Sequence, residues 1–121
     1  MNKISLLRRN VLSVLTITAA TLILALSAAS ALAAEPEFNL VIKNHRFEPS
    51  EVKVPAGQKV KLVIDNQDAT AEEFESKSLK REKVIPPKSK GTVLIGPLKP
   101  GRYEFVGEFH EATAKGVIVV E

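Results

Sequence analysis

Apolar residues run without a single charge from position 11 to 34, then break into short runs separated by turn residues. Phe38-Asn39-Leu40-Val41-Ile42-Lys43 is one such run, and Val52-Lys53-Val54 alternates strictly. Residues 59–65 start alternating and become continuously apolar, the pattern of a strand passing into a core. Thr92-Val93-Leu94-Ile95, Arg102-Tyr103-Glu104-Phe105-Val106 and Gly116-Val117-Ile118-Val119-Val120 complete the set. Pro55-Ala56-Gly57, Asn66-Gln67-Asp68, Pro86-Pro87, Gly96-Pro97 and Pro100-Gly101 separate them as turns. Short, regularly spaced strands with Gly/Pro turns predict an antiparallel sandwich or barrel. Only residues 69–81 leave room for a helix, and their Glu72-Glu73-Phe74-Glu75 also fits a strand. Arg81-Glu82-Lys83 reads as a mixed-charge edge strand, where lysine discourages pairing with a foreign sheet. Phe38, Phe47, Phe74, Tyr103 and Phe105 are expected in the core.

The charge-free stretch needs its own account. Lys3, Arg8 and Arg9 precede it, and Ala31-Leu32-Ala33 closes it with small residues. A basic start, an apolar middle and a small-residue site are the parts of an export signal, which assigns residues 1–33 to a signal peptide and 34–121 to the working domain. The stretch is also long enough to span a bilayer as an anchor, but its Ala- and Ser-rich end favours cleavage. Arg8-Arg9 is similar to a twin-arginine signal, the alternative to the general secretory route; both lead to a periplasmic location. Residues 34–121 then hold 14 basic and 14 acidic side chains, a net charge of zero. A neutral domain has no electrostatic grip on a nucleic-acid backbone, so no nucleic-acid partner is expected. The absence of cysteine removes disulfides, thiolate nucleophiles and Cys-ligated metals together. No nucleophile–base pair or phosphate-cradling loop marks an enzyme.

Phe47-Glu48-Pro49, then Val52-Lys53-Val54-Pro55-Ala56-Gly57, then the strand ending in Asn66, resembles the first half of the cupredoxins. Tyr103-x-Phe105-x-Gly107-x-x-His110, followed by Gly116 and an apolar last strand, resembles the second. The resemblance implies an all-β, cupredoxin-like Greek-key β-sandwich. It places the family's copper-binding Cys at Gly107, its first His at Glu72 and its Met near Ala114, leaving His110 alone in a ligand position. A blue-copper site requires the Cys thiolate, so a different ligand set is expected. Asp68-Ala69-Thr70-Ala71-Glu72-Glu73-Phe74-Glu75-Ser76 and Gly107-Glu108-Phe109-His110 further resemble the small exported cupredoxin-like proteins of bacterial Ftr-type and Efe-type iron-uptake systems. That resemblance implies copper or iron as the bound ion and a part in ferrous oxidation. It also implies two partners, a periplasmic iron-binding protein and a membrane iron permease.

Candidate ligands follow from both lines of reasoning. Period-two geometry puts Glu72 and Phe74 on one face of an extended segment and Glu73 and Glu75 on the other. If Phe74 packs inward, so does Glu72. His45 precedes Phe47 by two residues, in a loop that borders the metal end in the family. Glu108 and Glu111 flank His110. The expected metal site is therefore His110 and His45 with Glu72, Glu73 or Glu108, an N/O donor set suited to Cu(II), Fe, Mn or Zn. Against it stand plainer readings: a solvated loop histidine at His110, a polar turn at His45, and a charged surface at Glu72, Glu73 and Glu75. On those readings the protein is a metal-free docking module of a periplasmic transport assembly.

Overall fold

A computed structural model describes residues 35–121; the predicted signal peptide lies outside the described residues. Nine strands form two facing sheets. They are β1 (Glu37–Lys43), β2 (Arg46–Glu48), β3 (Glu51–Val54), β4 (Val60–Asn66), β5 (Glu72–Ser76), β6 (Arg81–Ile85), β7 (Lys90–Ile95), β8 (Gly101–Val106) and β9 (Lys115–Val120). One sheet has the order β2-β1-β4-β7 and the other β3-β9-β8-β5-β6. Most neighbours are antiparallel, but β1 runs parallel to β4 and β3 parallel to β9. The all-β sandwich predicted from the sequence is what forms. Among the described residues no helix is long and apolar enough to cross a membrane.

Alternation decides which side chains meet between the sheets. Leu40 and Ile42 of β1, Leu62 and Ile64 of β4, Phe74 of β5 and Ile118 of β9 are all fully buried. β4 lies between β1 and β7, so its intervening positions are half-covered as well, which explains its continuous apolar run. Phe105 packs edge-on against Phe47, with centroids 4.9 Å apart, and stacks on Phe74 at 5.0 Å. Phe38 and Tyr103 pack against this core only partly buried.

Residues 69–81 contain no helix. β5 pairs along its whole length with β6 and touches β8 at Glu75, so sheet pairing overrides the helix-tolerant, Glu-rich composition. The charged edge strand expected at 81–83 is real and continues to Ile85. The Arg81 guanidinium also reaches the Leu94 carbonyl of β7 at 2.9 Å, occupying part of that strand's open edge.

Candidate metal centre

Both histidines of the chain reach one end of the sandwich by different local devices. β1 and β2 are joined by the two-residue turn Asn44-His45, with φ of 52° and 56°. Two left-handed residues make a type I′ turn, whose twist matches that of the strands it joins. Asn tolerates that backbone; for His it costs of order 1 kcal/mol. Asp68 offsets the cost: its Oδ1 accepts the Asn44 N–H at 2.7 Å and its Oδ2 the His45 N–H at 3.1 Å. Burial pushes the Asp68 carboxyl up, but these two N–H bonds, with Glu72 and His45 nearby, outweigh it and hold the group below its ordinary range. Asp68 is itself positioned by buried Asn66, whose Oδ1 accepts the Asp68 N–H at 2.9 Å. The Asn66 amide nitrogen donates to the carbonyls of Thr70, Ile85 and Pro86.

His110 arrives on a single 3₁₀ turn, Glu108–His110. The loop is closed by the Gly107 N–H on the Ala114 carbonyl at 2.9 Å and the Ala114 N–H on the His110 carbonyl at 2.8 Å. Glu72 opens β5 and is wholly buried. His45 Nδ1 lies 2.6 Å from its Oε1, and His110 Nδ1 3.2 Å from its Oε2, both within hydrogen-bond reach. The two imidazoles stack face to face, centroids 3.5 Å apart and planes 18° from parallel. Their side chains remain 40% and 34% exposed. A buried carboxylate thus forms the floor, and two imidazoles form a roof open to solvent.

The donor chemistry fits an ion. Ligands bound at 2.0–2.2 Å around one ion stand about 3 Å from each other, and both nitrogen–oxygen spacings lie near that value. Two nitrogens and a carboxylate suit Cu(II), Zn(II) or Fe. A thiolate-based site does not fit. A Cβ at Gly107 would stand 2.8 Å from the Ala114 Cβ and 3.1 Å from the Glu73 carbonyl oxygen, so no side chain enters there without displacing the loop.

His45, Glu72 and His110 are therefore brought together, whereas Glu73 and Glu108 are not part of the group. Glu73 follows Glu72 in an extended strand and so points to the opposite face of β5. Glu108 begins the 3₁₀ turn that His110 ends, and its carboxylate joins Glu73 and Glu82 instead. Burial, a hydrogen bond shared with Glu82 and the charges of Glu108, Glu82 and Glu75 push Glu73 up to about 7. Glu75 is raised as well, by burial and then by Glu108. Sequence reasoning missed Asp68 and Glu82. In the sequence Asp68 reads as part of a turn and of the string running to Ser76, with nothing nearby that ties it to Asn44 and His45.

The cupredoxin-like domain family matches residues 16–120 of the chain. An uncharacterized protein, RP394, of Rickettsia prowazekii is 48% identical over 84 residues, covering 69% of this chain and 67% of that one. Among solved structures, the metal-binding domain of the Streptococcus pneumoniae Cu(I)-exporting P-type ATPase CopA, with Cu(I), is similar at a TM-score of 0.63 and 14% identity. The match covers 70% of this chain and 84% of that one. Auracyanin A, a blue copper protein of Chloroflexus aurantiacus, is similar at a TM-score of 0.62 and 14% identity, over 73% of this chain and all of that one.

Proposed function

This chain belongs to the cupredoxin-like family, and on that premise we propose that it is a periplasmic metal-binding protein accessory to bacterial iron uptake. Copper is the ion proposed for the group formed by His45, Glu72 and His110. The observation that carries this reading is the convergence of the only two histidines on one fully buried carboxylate. Copper-binding proteins among the fold's neighbours agree with it. In this role Glu72 supplies the negative charge and fixes the depth of the ion. Asp68 holds His45 in place through its backbone, and the 3₁₀ turn holds His110. The exposed imidazole edges leave the group open to an incoming ferrous ion or to an iron-binding partner that hands its cargo to a membrane permease. Bound copper would supply a one-electron couple suited to ferrous oxidation.

The test is calorimetric and spectroscopic titration of Cu(II) into the wild type, His110→Ala and Glu37→Ala. The wild type takes one Cu(II) with weak N/O-type colour, because the chain has no thiolate to give an intense visible band. His110→Ala weakens binding about a hundredfold, since a ligand is lost. Glu37, exposed and paired with Lys61 at 3.4 Å, serves as the neutral control. Affinity falls as pH is lowered, because imidazole coordinates only when neutral. If His110→Ala binds as tightly as the wild type, the hydrogen bonds to Glu72 are the whole purpose of the cluster and the docking-module reading replaces this one. The iron arm is checked by deleting the gene and measuring uptake of ferrous iron at limiting supply, which should fall.

A further inference from the structure

Glu73, Glu82 and Glu108 converge on the outer face of β5, opposite to Glu72. One carboxylate oxygen from each lies within 4.8 Å of the other two. The placement follows from register. Glu73 stands opposite Val84 and Glu75 opposite Glu82, so Glu73, Glu75 and Glu82 share a face, and the 3₁₀ turn brings Glu108 over it. An outward-facing glutamate on a sheet is ordinarily solvated. Glu73 is only 2% exposed, and its Oε1 has no hydrogen-bond partner. Among the described residues no Lys, Arg or His lies within salt-bridge distance of any of the three carboxylates. A buried carboxylate oxygen without a partner is costly, and two more acids around it add repulsion. Such an arrangement calls for a positive charge that none of the described residues supplies.

We infer a second cation site at Glu73, Glu82 and Glu108, distinct from the histidine cluster. Three carboxylates with no nitrogen or sulfur select a hard, oxygen-preferring di- or trivalent ion, a preference opposite to that of the imidazole-rich group. Glu82 and Glu108 are exposed, leaving an entry path and room for water ligands, while Glu73 forms the floor. The two sites share structure without sharing ligands: Glu72 and Glu73 are consecutive in β5, and Glu108 and His110 occupy one 3₁₀ turn. This inference does not depend on copper binding at the histidine cluster.

Mn(II) is a direct probe, because the electron paramagnetic resonance signal of the free ion disappears on binding. The wild type is expected to bind one Mn(II). Glu82→Gln and Glu108→Gln, both at exposed positions and so without threat to the fold, should each weaken it tenfold or more and leave Cu(II) affinity within about twofold. His110→Ala should lose Cu(II) and keep Mn(II). Three results overturn the inference: no Mn(II) bound by the wild type, either glutamine variant binding as tightly as the wild type, or His110→Ala losing Mn(II). The first would mean that a shared proton, not a cation, holds the three acids together.

Discussion

Asp68 shows how a residue with no ligand role can govern a site. Its two oxygens are divided between the consecutive N–H groups of a left-handed turn, so it fixes that backbone, and its Oδ2 also stands 3.5 Å from the His45 Nδ1. Asp68→Ala removes two charge-assisted bonds and should cost about 2–3 kcal/mol, measured by urea unfolding. The sign of its pH dependence follows from the depressed acidity. The folded carboxyl loses its proton more readily than the unfolded one. The stabilisation is therefore complete above the ordinary value of 3.8 and is lost as pH falls through the lower folded value. The variant should accordingly show a shallower acid limb than the wild type. At this scale the sequence was readable in part. Glu72 followed from period two and the inward placement of Phe74, and His110 from a motif. The partnership of Asp68 with residues more than twenty positions earlier had no local signal, because it depends on how the loop after β4 crosses the β1–β2 turn.

Elements were legible wherever alternation was strong. Runs at 38–43, 52–54, 92–95, 102–106 and 116–120 all fall within observed strands, and the run at 59–65 does so from Val60 on. β2 was not, since three residues carry too little pattern and only the hairpin with β1 makes them a strand. β5 was ambiguous for a different reason: four of its five residues are polar, and its neighbours rather than its composition fix its state. Pairing between β8 and β9 gives a test at this scale. Gly116 stands opposite Phe105, and a Cβ there would lie 2.2 Å from the Phe105 Cζ. Phe105 is 1% exposed and held by Phe47 and Phe74, so the ring has nowhere to retreat. Gly116→Ala should destabilise the domain by about 1–3 kcal/mol or more through overpacking, seen as a lowered urea midpoint with an unchanged slope.

Across the whole domain, the stability curve should carry the mark of Glu73. Its folded value of about 7 lies above the ordinary 4.5, so the folded protein holds a proton that the unfolded chain releases. Without added cation, stability therefore falls as pH rises from about 4.5 to 7 and levels off above that. Glu73→Gln should flatten this limb and raise stability at pH 8 by no more than about 3 kcal/mol, measured by unfolding in the presence of a chelator. The topology sets a further constraint, one of timing. β9 is not an edge: it lies between β3 and β8, and its parallel pairing to β3 joins positions 66 residues apart. A chain still missing residues 115–120 has β3 without a neighbour and β8 without one of its two, so the second sheet cannot close as the chain emerges. The second sheet is therefore completed only once residues 115–120 are present. A chain ending at residue 114 should accordingly show no slow-exchanging amides in the other sheet either, despite retaining every residue of that sheet.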